Sequence, residues 1–131
     1  MTPHAADSWA RAQDALRLAR HDLPLSADGA ASWAYYAAFH AVGALFALKG
    51  RTFRKHTAVE AAVHRDLVRP GIWPENLGEA YSDLVELREV GHYGGAKHVT
   101  PEEAQLAIQN AADILKAVAD ANPSAFKGLF D

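Results

Sequence analysis

Apolar residues recur along this chain at spacings of three and four, and no segment alternates convincingly with period two, so the pattern predicts helices throughout. Thr2-Pro3 suits an N-cap followed by a first-turn proline, after which Trp9, Ala12, Leu16 and Ala19 form a stripe with Arg11, Asp14 and Arg17 off it. Leu23-Pro24 through Gly29 breaks that helix. A second helix is expected from about Ala30 to Leu48, ending at Lys49-Gly50. It carries Trp33, Tyr35, Tyr36, Phe39 and Phe46 among alanines, a mixture of large and small side chains that suits a central helix. Tyr36, His40, Gly43 and Ala47 share one of its faces, which reads His40 as a core histidine bonded to a neighbouring helix.

Thr57 and Glu60 have capping-box spacing, and a shorter third helix is expected to run to Leu67 or Val68. In the turn-rich loop from Arg69 to Pro74, Ile72 and Trp73 are expected to cover the end of a bundle. A fourth helix spans about Glu75 to Gly91, with Leu77, Tyr81, Leu84, Leu87 and Gly91 as its buried stripe. Thr100-Pro101-Glu102-Glu103 is the strongest helix start in the chain, and Ala104, Ile108, Ala111, Leu115 and Val118 form the buried face of the helix it opens. That helix closes near Asn122-Pro123, leaving a tail, residues 122–131, to dock through Phe126 and Phe130 or to fray. The expected class is all-α: an antiparallel four-helix bundle with an additional short helix, in one domain spanning 1–131 with its core at about 3–121.

Composition narrows the function. With half of its 131 residues apolar and 22% charged, the chain has a globular profile, and the apolar run near Ala41 to Leu48 is far shorter than a bilayer span. The N-terminal residues lack the pattern of a secretory signal, so the expected location is cytoplasmic, with no membrane association. Lack of cysteine excludes disulfides, thiolate metal sites and cysteine nucleophiles. The net charge of −3 argues against a protein that coats nucleic acid, although a local basic patch remains open. The concentrated basic segment is Arg51-Thr52-Phe53-Arg54-Lys55-His56, which reads either as a solvated loop or as a phosphate-contacting rim. Glycine pairs follow no strand, serines occupy no nucleophile elbow, and the histidines form no two-histidine zinc motif, so no metal or cofactor is expected.

What remains is Arg88 with His92, four positions apart at the end of helix four and followed by Tyr93-Gly94-Gly95. Residues at that spacing are neighbours on a helix, with Cβ atoms about 5–6 Å apart, so both can reach one phosphate. They equally suit a helix C-terminus, where a cation offsets the negative end of the dipole.

Five blocks in order carry a resemblance: Tyr35-Tyr36-Ala37-Ala38-Phe39-His40-Ala41, Phe53-Arg54-Lys55-His56, Leu67-Val68-Arg69-Pro70-Gly71, Leu87 to Gly94, and Thr100-Pro101-Glu102-Glu103-Ala104. Together they resemble the HEPN domain (higher eukaryotes and prokaryotes nucleotide-binding) from about Ala10 to Ala119. The resemblance implies a homodimer whose arginines and histidines face a shared cleft. It also implies activity as a metal-independent endoribonuclease toxin of a two-component toxin–antitoxin system, or else a non-catalytic module that binds a nucleotide, RNA or a minimal nucleotidyltransferase partner. In the first case Arg88, His92 and Tyr93 are the catalytic set. Arg54, Lys55, His56 and Lys97 are the RNA- or nucleotide-binding set in either. The family's ribonuclease motif places four to six residues between arginine and histidine, whereas three separate Arg88 from His92. Relatives often have Ala-Asp-Tyr where this chain has Gly91-His92-Tyr93.

Overall fold

A computed structural model describes residues 2–128, and at Tyr93 it describes the backbone alone. Five α-helices and no strand occur among the described residues: α1 (Pro3–Asp22), α2 (Ala27–Leu48), α3 (His56–Ala62), α4 (Glu75–Tyr93) and α5 (Pro101–Ala121). The long helices α1, α2, α4 and α5 form the bundle, as the periodicity indicates, and α2 is the element that packs on all of the others.

The reason lies in its alanines. Ala30, Ala31, Ala34, Ala37, Ala38, Ala41, Ala44 and Ala47 are all 5% exposed or less, and these small side chains let the neighbouring helices pack closely on α2. By length and composition α2 as a whole, unlike the Ala41–Leu48 run alone, is apolar enough to cross a membrane. Most of that stretch is buried inside the bundle, which accounts for its apolarity.

Local signals set the helix ends. Thr2 Oγ1 accepts from the Ala5 N–H at 3.2 Å and starts α1. Ser26 Oγ accepts from Gly29 N–H at 3.0 Å, which starts α2 at Ala27 rather than at Ala30. The reciprocal box of α5 forms as expected, with Glu103 N–H donating to Thr100 Oγ1 and Thr100 N–H donating to the Glu103 carboxylate.

The capping box expected at Thr57 and Glu60 does not form. Lys55 occupies the cap of α3 without a side-chain bond, and Glu60 accepts instead from the Ser82 hydroxyl of α4 at 2.8 Å. Beyond α3 the chain continues as a π-helical turn, Val63–Val68, in which Arg69 N–H bonds the His64 carbonyl five residues back. A Cβ on Gly78 would stand 2.6 Å from Val68 Cγ2 and 3.2 Å from His64 Cε1, so α4 lies against this turn at a distance only glycine permits. His64 Nε2 and Ser82 Oγ share a 2.8 Å hydrogen bond across the same contact.

Trp73 is buried and covers the bundle end as expected, but Ile72 is 59% exposed and does not. In the tail, Phe126 is 2% exposed with its ring 5.0 Å from that of Trp9, whose Nε1 donates to the Lys127 carbonyl at 2.8 Å. Phe130 lies outside the described residues.

Candidate functional site

Antiparallel packing of α2 on α4 creates two rungs. At one, Arg88 donates through Nη2 to Tyr36 Oη at 2.9 Å. At the other, one helical turn away on both helices, His92 Nε2 and Ser32 Oγ share a 2.8 Å hydrogen bond. Gly91 sits between them, and a Cβ there would meet the backbone of Asp28 at 3.3 Å, a contact that records how closely α4 crosses the start of α2.

Arg88 turns inward. Its guanidinium carbon lies 5.1 Å from the ring centres of both Tyr35 and Tyr36, a cation–π clamp supplied by two consecutive residues. Nε is buried and has no acceptor, and no carboxylate pairs with this arginine among the described residues. The site therefore holds a half-buried cation stabilised by aromatic faces and one phenol rather than by a counter-ion.

His56 joins the same cluster from α3. Its Nδ1 shares a 2.6 Å hydrogen bond with Tyr35 Oη, and its ring stacks on Phe39 at 4.2 Å and 14°. Burial pushes the Tyr35 phenol up to about 12, partly opposed by the Arg88 charge, so this hydroxyl stays protonated at neutral pH. Tyr81 is wholly buried beside it, its hydroxyl near that of Tyr35 without a well-formed hydrogen bond.

The expected binding residues fall in two separate segments, one before α3 and one after α4. Arg54 and Lys55 are exposed in the segment that delivers His56. Lys97 is exposed in the loop beyond the C-terminal end of α4, past His92 rather than beside Arg88. Next to it, Asp28 accepts from the Val99 N–H at 2.7 Å and pairs with His98 Nδ1 at 2.7 Å, which ties that loop to the start of α2. These bonds hold the Asp28 carboxyl below its ordinary range. Tyr93 ends α4, and its side chain lies outside the description.

Sequence reasoning did not single out Ser32, Tyr35 or Tyr36 as site residues. The available signal was Ser32, Tyr36 and His40 at intervals of four on a helix otherwise lined with alanine. His40 is half-buried, and its ring packs against Tyr36 and Phe39 of its own helix rather than bonding a neighbouring one.

The HEPN domain family model matches residues 5–121, almost the whole chain. The chain belongs to the HEPN domain family. A UPF0332 protein of Thermotoga maritima is 37% identical over 84 residues, which are 64% of this chain and 64% of that protein. The UPF0332 protein glr0978 of Gloeobacter violaceus is 29% identical over 119 residues, 88% of this chain and 94% of its own length. The crystal structure of TT1696 from Thermus thermophilus superposes with a TM-score of 0.77 at 27% identity, over 91% of this HEPN chain and 98% of TT1696.

Two imidazoles of this HEPN bundle give it a pH signature. Burial depresses His40, with the Arg11 and His56 charges adding to the effect and Asp7 opposing it. Burial also depresses His56, with Arg88 adding to the effect. Between the depressed folded values and the ordinary 6.5 the unfolded chain binds more protons than the folded one. The stability from neutral imidazoles is therefore complete above 6.5 and declines as pH falls toward the folded values. Asp7, Asp28 and Asp66 are all lowered from 3.8, so they stay ionised at about pH 5 and above. Urea midpoints are expected to be lower at about pH 5 than at about pH 7.5, with the difference reduced in His40→Gln. Equal midpoints for the wild-type chain at the two pH values would contradict this.

Proposed function

We propose that this HEPN chain binds a phosphate-bearing ligand, a nucleotide or the backbone of single-stranded RNA, through Arg88. The observation that carries the reading is a half-buried guanidinium, fixed by Tyr36 and two aromatic faces, that has no carboxylate partner among the described residues. A cation held in place but not neutralised is prepared for an anion, and its planar fork suits phosphoryl oxygens. His56 shares the aromatic cluster, and exposed Arg54 and Lys55 on its segment, with Lys97 beyond α4, add attraction for a polyanion. Tyr36, Phe39 and exposed Trp33 supply ring faces on which bases stack.

A second reading, metal-independent endoribonuclease, is favoured by one observation: Ser32 holds the His92 imidazole one helical turn from Arg88. There the RNA 2′-hydroxyl attacks its own phosphate, His92 takes the proton, and the P–O5′ bond breaks to leave a 2′,3′-cyclic phosphate and a 5′-hydroxyl. Arg88 stabilises the charge that grows on the phosphoryl oxygens, and Tyr93 orients substrate or imidazole. A homodimer would offer a second histidine as the acid. A toxin role, a minimal nucleotidyltransferase partner and a cytoplasmic location complete this reading.

One experiment separates the two. Wild-type protein and His92→Ala are incubated with single-stranded RNA in chelator, while RNA affinity is followed in parallel. Binding is expected in both, with an affinity that falls as salt rises. Cyclic phosphate ends formed by the wild type and lost in His92→Ala would establish the nuclease reading. An absence of any salt-sensitive RNA or nucleotide binding would refute both.

A further inference from the structure

The aromatic surface around Arg88 does not stop at Tyr36. It runs into a cavity of about 320 Å³ between α1, α2 and the segment leading to α3. Phe39, Phe53 and Val59 give it apolar walls, and Gly43 leaves it open, since a Cβ there would meet nothing within 4 Å. Ser8 and His40 contribute polar groups. Ser8 is 7% exposed, and neither its hydroxyl nor the His40 ring nitrogens have a hydrogen-bond partner among the described residues. A recess with aromatic walls and unspent hydrogen-bonding groups suits a flat heterocycle with polar edges.

The cavity and the arginine are linked ring by ring. The Arg88 guanidinium is 5.1 Å from the Tyr36 ring centre, and that ring stacks on His40 at 28° with centres 6.1 Å apart. Tyr36 is thus the one ring between Arg88 and His40, a residue of the cavity wall. His56 stacks on Phe39, another residue of the cavity wall. Charge fixes the direction. Arg11 at the rim is already paired with Asp7 at 2.8 Å, whereas Arg88 lacks a counter-ion among the described residues. The phosphate belongs at Arg88 and the uncharged end in the cavity.

We infer that this cavity is a base subsite, which receives the heterocyclic base of a nucleotide or RNA residue whose phosphate rests on Arg88. The base stacks against the Phe39 and His40 rings, and Ser8 and His40 meet its polar edge. The inference rests on the phosphate-binding reading of Arg88, so its test is built to fail separately.

The probes are 2-aminopurine ribonucleoside 5′-monophosphate and the corresponding nucleoside, because 2-aminopurine fluorescence falls when the base stacks. The informative variant is Gly43→Leu, which fills the cavity while replacing a helical glycine with a better helix former. Wild-type protein is expected to quench the monophosphate, and Gly43→Leu to lose the quench and bind at least tenfold more weakly. Thermal unfolding of Gly43→Leu at or above the wild-type temperature would show that the fold persists. Arg88→Ala is expected to weaken the monophosphate to the level of the nucleoside and leave nucleoside quenching intact. Wild-type protein that fails to quench, or Gly43→Leu that matches wild type, would overturn the base subsite. Monophosphate and nucleoside binding equally well, with both lost in Gly43→Leu, would leave the base subsite standing and remove the phosphate contact from Arg88.

Discussion

Replacing Arg88 with alanine is expected to weaken single-stranded RNA binding by about tenfold to a hundredfold. Hydrogen bonds to a charged group contribute about 1.5–3 kcal/mol each, and every 1.4 kcal/mol is a factor of ten. The structural cost of the same substitution is smaller, because the guanidinium neutralises no carboxylate among the described residues and its loss strands no buried anion. What is lost is one bond to Tyr36 and the cation–π contact with two rings. Arg88→Lys separates charge from shape. It keeps the cation but removes the fork, so it should recover only part of the affinity. Fluorescence anisotropy with labelled RNA at two salt concentrations measures both effects. Wild-type affinity in Arg88→Ala would show that the phosphate contact lies elsewhere, and full recovery in Arg88→Lys would show that the planar geometry is irrelevant.

The largest loss of stability is expected at Tyr35. This side chain is 1% exposed and touches Tyr36, Phe39, His56, Tyr81 and Arg88, so it belongs to the core and to the site at once. Truncating a buried aromatic residue to alanine costs about 3–5 kcal/mol, a large part of the roughly 5–15 kcal/mol that holds a domain folded. Tyr35→Phe keeps the ring and removes the hydroxyl that bonds His56, at about 0.5–1.5 kcal/mol. Urea denaturation of both variants is the measurement. A ratio near one between the two losses would mean that the hydroxyl, rather than the ring, is what the bundle requires.

The helices were legible in the sequence because their signals are local. Threonine, proline and glutamate at 100–103 satisfy a helix start within four residues, and the stripe of α5 repeats often enough to fix its buried face. The matching signal at Thr57 and Glu60 misled for an equally physical reason. Glu60 has a better acceptor role toward Ser82, 22 residues away, and α3 had already begun at His56. Arg88 was legible as a cation at the edge of a stripe, but its inward turn depends on Tyr36, 52 positions distant. His92 likewise finds Ser32 across 60 positions. The cavity beside His40 could not be read at all, because Ser8, Gly43 and Phe53 come from three separate segments whose meeting is set by tertiary packing.

The alanine-lined face of α2 carries a consequence for motion. Because α2 is buried against α1, α4 and α5, its opening is expected to require that the whole bundle come apart. Its amides should exchange with solvent only when the whole bundle unfolds. Ser32, Tyr35, Tyr36 and His40 ride on that helix, so one wall of the site shares the slowest motion in the molecule. Any adjustment to a ligand must then come from the α4 side and from the segment that brings in His56.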